Sequence, residues 1–424
     1  MSLYGFAWLG FGVDILLRFL ILSYDTLVFG NMTFRLADLQ PAMVNDALAL
    51  LLIFWFLFSI SYLLVSRQKL WNPLVSLGEL TPRGTASLSL GAVLFTSALI
   101  FLSSSQLIPG SLVTPMSLVG SMWVVPAVLA WWDYFRRREG NIRLGRPGFV
   151  LFLVLIPGFV RVFLNPYREN LLTILLVPFF AALFAGRRPR LLRLAIGSLL
   201  VLFIANWSIF FQRQILWNQM NREELLLQVT DSEENFYRWS PWAEPLRRFH
   251  ALDSFLVTLD LVPGAIPFSG ENLFIDPVVR GIVPRFVYSG KVAVNKAVLF
   301  GEGIWSYDDE KSRSGASISP SMPGDLYGSG GIPYVLLGAL VWGALLGVVE
   351  CWKDQLSFGP QAVVTVIFGF LSAAAIERDF GHTVSTAIQF LIVLAMTGMV
   401  ASLIVKKNNV NCSLSVVTPN DRHR

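Results

Sequence analysis

Cysteine is almost missing from this chain, with Cys351 and Cys412 its only two among 424 residues. The one long polar segment has neither, so it folds without a disulfide whatever compartment it faces. Histidine is nearly as scarce. His250, His382 and His423 lie far apart, and no Cys/His spacing suggests a zinc site. Charge is low as well: 14% of residues are charged, against about 25% in soluble domains, which excludes a water-soluble globule. The net charge is only +5, and the arginine clusters fall between apolar runs, where they orient helices. A nucleic-acid surface is therefore not expected. No internal repeat is visible, and no inverted pattern of hydropathy of the kind many transporters carry. The N-terminus has no cleavable signal pattern, so its first apolar run reads as a retained anchor.

What is present is apolar helix. The chain is 54% hydrophobic with a mean hydropathy of +0.60. Its apolar runs of roughly 18–22 residues match what the hydrocarbon thickness of a bilayer asks of a spanning helix. Thirteen Trp, ten Tyr and 33 Phe suit a polytopic protein with aromatic belts at both interfaces. The expected fold is all-α and membrane-embedded, with about ten transmembrane helices and one long extracytoplasmic loop. Helices 1–7 occupy residues 1–212, the loop 213–330, helices 8–10 residues 331–407, and a polar tail 408–424. Individual spans are expected near 4–29, 43–65, 86–102, a fourth ending at 131–132, 148–164, 171–185, a seventh ending at 211, 332–349, a ninth ending before Arg378, and 386–405. Asp14 and Arg18 interrupt the first span four residues apart, on one helical face, where they can pair away from lipid.

Positive residues in short loops mark the cytoplasm. With the arginine-rich loops at 133–146 and 187–193 inside, strict alternation also places SRQKLW, CWKDQ and KKNN inside. The long loop, NPYREN and ERDFGHT are then outside, and both termini are cytoplasmic.

The long loop gathers the charge that the rest of the chain avoids. Arg280, Arg285, Lys291 and Lys296 stand near Glu302, Asp308, Asp309, Glu310 and Asp325, among glycines and prolines. Upstream, Leu246, Phe249, Leu252, Phe255, Leu256 and Leu259 recur at spacings of three and four, while Arg247, His250, Asp253 and Asp260 lie off that stripe. This pattern predicts an amphipathic helix along the membrane surface, with Arg248 and Asp253 as candidate site residues. The run GSGG at 328–331 lacks the Lys-Ser/Thr of a phosphate-binding loop and reads as a flexible hinge before a helix.

A late extracytoplasmic loop carrying Pro284-Arg285 and Lys291, then Ser319, Pro320, Gly324, Asp325, Tyr327, Gly330 and Gly331 just before a helix, resembles the Wzy-type oligosaccharide repeat-unit (O-antigen) polymerases of bacterial envelopes. RRFHALDSF is similar to the Arg-then-Asp stretch that opens the same loop, and Arg168 and Arg378 stand where such enzymes commonly place an arginine. Two departures are Asp325, where Glu is more usual, and Lys291, which lacks a following proline. The resemblance implies a GT-C-like glycosyltransferase of the bacterial inner membrane. It joins polyprenyl-diphosphate-linked oligosaccharides at the outer face, among membrane lipids, alongside flippase and chain-length regulator proteins, without a cofactor. The leaving diphosphate needs fixed cations, a need that Arg168, Arg248, Arg280, Arg285, Lys291 and Arg378 could meet. The attacking hydroxyl needs a carboxylate base, worth about 10²–10⁴ in rate, with Asp325, Glu302 and Asp253 available. No metal cage is evident, so cationic side chains take the metal's role. A ligase moving finished glycan to an acceptor would use similar cations, with His250 as a candidate base. A polyprenyl-linked glycan transporter would instead place charge and broken helices at the bilayer midplane.

Overall fold

The computed structural model describes residues 2–16, 41–74, 95–102, 116, 120, 123–137, 155–158, 168–186, 251–283 and 319–415. Among them there is no strand. The helices are α1 (Leu3–Phe11), α2 (Pro41–Ser66), α3 (Val124–Arg137), α4 (Arg168–Phe184), α5 (Ala251–Leu261), α6 (Asp276–Ile282), α7 (Met322–Asp354), α8 (Phe358–Ala374) and α9 (Phe380–Ser415). A further helical run occupies 95–102. Four segments are long and apolar enough to cross a membrane: Ala42–Ser66, Met322–Asp354, Gly359–Glu377 and Phe380–Met399. The protein is an all-α membrane protein, but the described residues hold four such spans and not the ten expected.

The boundaries follow local chemistry. Ser2 opens α1, its hydroxyl accepting from the Gly5 amide at 3.2 Å. A π-helical turn, Gly12–Leu16, follows with Asp14 buried in it. Arg18, its expected partner, lies outside the described residues, as does the whole of the seventh expected span. α3 runs on to Arg137, into the arginine-rich segment read as a loop. α9 starts six residues before its expected onset near 386.

The centre of the molecule is the pairing of α2 with α7. Gly343 lies against the Phe58 backbone and Gly347 against that of Tyr62. Both partners advance by four together, so the two helices run parallel. A Cβ at Gly343 would sit 2.4 Å from the Phe58 carbonyl oxygen, so only glycine allows this approach. The Ser61 hydroxyl donates to the Leu340 carbonyl at 2.7 Å, and Phe54, Phe58, Trp342 and Leu346 fill the seam. At the far end of α7, Lys353 Nζ meets Glu350 Oε1 at 2.6 Å, with Lys353 only 2% exposed. Glu350 Oε2 accepts from the Leu3 amide at 2.9 Å, tying the start of α1 to that end of α7.

Candidate functional site

The site grows from the start of α7, which reads SMPGDLYGSGGIP. Ser321 is the N-cap, with φ 63° and its hydroxyl accepting from the Gly324 amide at 3.3 Å; Pro323 stands in the first turn, where no donor is needed. The helix then breaks at Gly330 and Gly331. Gly331 has φ 69° and ψ −156°, a conformation essentially reserved for glycine. Across the break the short leading half folds back, so that Leu326 packs on Gly338. Pro333 has no N–H to give the Ser329 carbonyl. The Gly270 amide supplies that bond at 3.2 Å, and the Ser269 amide bonds the Gly328 carbonyl at 2.9 Å. The glycine pair read as a flexible hinge is thus a break bonded on its open side.

α5 lies against this leading half. Its residues 251–258 are all buried, including Asp253 (5% exposed), Ser254 and Thr258. The periodicity that suggests a helix on the membrane surface here belongs to one covered on all its faces over that stretch. A Cβ at Gly324 would meet Ser321 Oγ at 3.0 Å and Thr258 Oγ1 at 3.2 Å, so this glycine sets how closely the two helices approach. The Tyr327 ring packs edge-on against Phe255 and Phe268. Thr258 returns its hydroxyl to the Ser254 carbonyl at 2.7 Å.

The third wall is the start of α9. Asp325, 6% exposed, accepts through Oδ2 from the backbone amides of Phe380 at 2.9 Å and Gly381 at 3.4 Å. Asp379 caps the same helix locally, accepting from the His382 amide at 2.6 Å. Arg378, partly exposed, belongs to the short link between α8 and α9, and its amide bonds the Ala375 carbonyl at 3.2 Å. α6 completes this wall: Phe274, just before it, contacts both Tyr334 and Phe380, and Pro277 lies beside Gly381.

Of the residues chosen from sequence, Asp325, Tyr327, Gly330, Asp253 and Arg378 therefore come together on three packed elements. Arg280 falls in α6 and Arg168 opens α4. Arg248, Pro284, Arg285, Lys291 and Glu302 lie outside the described residues. Three participants went unread: the buried Ser321 and Thr258 and the partly exposed N-cap Asp379. The last had a signal, an Asp directly before a helical run, hidden by an Arg-Asp pair that looked like loop. Among the described residues no three His, Cys, Asp or Glu side chains gather as a metal site would require. Carboxylates and hydroxyls of this kind can orient sugar hydroxyls, and a carboxylate can accept a proton from one.

A family model described as Domain of unknown function (DUF8712) matches residues 94–409. That span holds the whole junction and leaves out α1 and α2. No curated protein and no solved structure matches the chain.

Proposed function

We propose that this chain, which belongs to the DUF8712 family, is a glycosyltransferase that polymerises polyprenyl-diphosphate-linked oligosaccharide repeat units at the outer face of a bacterial inner membrane. In this reading the chain crosses the membrane about ten times with both termini in the cytoplasm. The α7 break faces outward, and the product is a surface polysaccharide. One observation carries it: the Ser321–Gly331 motif, a buried carboxylate at Asp325 and the Arg378 link meet at one end of a membrane span, packed under the loop helices α5 and α6. In the proposed reaction a sugar hydroxyl of one lipid-linked unit attacks the anomeric carbon of another. The hydroxyl proton passes to a carboxylate and polyprenyl diphosphate leaves among cations, for which Arg378, Arg285, Lys291, Arg280, Arg168 and Arg248 are the candidates.

The broken helix favours one competing reading, since transporters place such breaks at the substrate site. Position argues against it here. Residues 332–354 alone rise roughly 34 Å at about 1.5 Å per residue, enough to cross the ~30 Å hydrocarbon core. In this reading the break stands at the end of a full span and not at the midplane where an alternating-access site belongs.

The test is the lipid-linked glycan profile of cells lacking the gene, with purified protein added back to lipid-linked repeat units. A polymerase leaves single units on the outer face and restores a ladder in vitro. Units stranded on the cytoplasmic face would point to transport, and full-length polymer awaiting transfer to its acceptor would point to a ligase.

A further inference from the structure

We infer that Asp325 is a positioning residue and not the proton acceptor of the reaction. It fixes the start of α9, and with it the Arg378 link, against the broken leading half of α7. The inference rests on the proposed glycosyl-transfer reading for its effect on turnover, but its geometry is independent of that reading.

The first backbone amides of a helix have no partner within the helix, and each must be satisfied from elsewhere. At α9 the amides of residues 380–383 all have partners. The Thr383 amide bonds the Asp379 carbonyl at 3.1 Å and the His382 amide bonds Asp379 Oδ1 at 2.6 Å. The Phe380 and Gly381 amides, at 2.9 and 3.4 Å, both reach Asp325 Oδ2, which comes from 55 residues upstream. One residue before the local cap is Arg378, itself held by its amide on Ala375. The link between α8 and α9 is thus fixed on one side by its own helices and on the other by a single carboxylate oxygen from α7. That carboxylate is in turn held in place. Its residue's amide bonds the Ser321 carbonyl at 2.9 Å, and Gly324 beside it is pressed under Thr258 and Phe255. Oδ2 has its lone pairs directed at the two backbone amides, and a proton taken up on either carboxylate oxygen would remove the charge that strengthens both bonds. Loss of this contact would release a bond network that joins the Arg378 link to the α7 motif.

The two roles separate by substitution. Asn keeps an oxygen that can accept from both amides but cannot take up a proton as a general base. Ala keeps neither property. The measurements are ladder formation by the full-length protein in detergent with lipid-linked repeat units, and hydrogen exchange of peptides covering 376–384. The expected result is that Asp325→Asn retains turnover within about tenfold of wild type with the α9 start still protected. Asp325→Ala should lose a hundredfold or more, with faster exchange there. An Asp325→Asn protein that is inactive while its α9 start stays protected overturns the inference, because carboxylate chemistry is then what was lost. Normal turnover with the start deprotected overturns it too, because the contact is then dispensable. Joint loss of turnover and protection in Asp325→Asn supports it, as the cap then needs the charge. Should Asp325→Ala fail to accumulate, Asp325→Asn decides alone by these outcomes. If wild-type protein makes no polymer, the glycosyl-transfer reading fails and exchange decides the positioning role. Faster exchange at 376–384 in Asp325→Ala upholds it, and unchanged exchange removes it.

Discussion

Gly331 shows how much of the site rests on single backbone positions. At φ 69° and ψ −156° a side chain is strained whatever space surrounds it, at a cost of about 1–3 kcal/mol. A Cβ there would also sit 3.3 Å from the Phe268 ring. Gly331→Ala is therefore expected to lower the unfolding temperature in detergent clearly below wild type. Gly264→Ala provides the control. It is exposed, with nothing within 4 Å of an added Cβ, and should change stability little. Equal melting of the two variants would show that the break at Gly330–Gly331 is not a fixed feature of the fold. At this scale the sequence was partly legible. Glycines at 324, 330 and 331 and prolines at 320 and 323 announced an irregular entry to a helix. Their assignments were not readable, because Gly324 is required by Thr258 on a helix 66 residues upstream, and no local pattern encodes that contact.

At the scale of elements, periodicity and hydropathy placed α2, α7, α8 and α9 well, because long apolar segments must be helical in a membrane. They misjudged α5, since a stripe of leucines on one face says nothing of whether the opposite face is covered by another helix. They placed the spanning half of α7 from Ile332, directly after the break, but gave no sign of the short leading helix that begins at Met322. The other end of α7 offers a sharper test of how elements are joined. The buried Lys353–Glu350 pair, with Asp354 at 3.5 Å from the Lys353 ammonium, ties α7 to the first amide of α1. Removing one member of a buried ion pair leaves the other uncompensated and costs about 3–5 kcal/mol, whereas removing both is far milder. Lys353→Met is thus expected to reduce folded protein in membranes strongly, and Glu350→Gln with Lys353→Met to recover most of it. Matched losses in the single and double variants, read by fluorescence size-exclusion of solubilised protein, would show that the pair does not act as a unit.

For the whole molecule, the parallel course of α2 and α7 is a constraint that no single helix supplies. Two parallel spans require an odd number of membrane crossings between Ser66 and Ile332, and the alternation derived from arginine-rich loops satisfies this with five. In the proposed topology the same alternation would set the α7 break, α5, α6 and the Arg378 link on the outer side, and the Glu350–Lys353 end on the inner side. The structure offers one probe position for each side. Gly264 lies in the exposed turn after α5, with no neighbour for a new side chain. Ser357 is the exposed N-cap of α8, and its hydroxyl makes no capping hydrogen bond. Gly264→Cys is expected to react with a membrane-impermeant maleimide in spheroplasts, and Ser357→Cys only after the membrane is permeabilised. The native Cys351 is buried, and Cys412 is replaced by Ser to keep the background low. The reverse labelling pattern would turn the junction toward the cytoplasm. Lipid-linked units that await joining at the outer face could not reach it there, and the proposed polymerase reaction would lose its site.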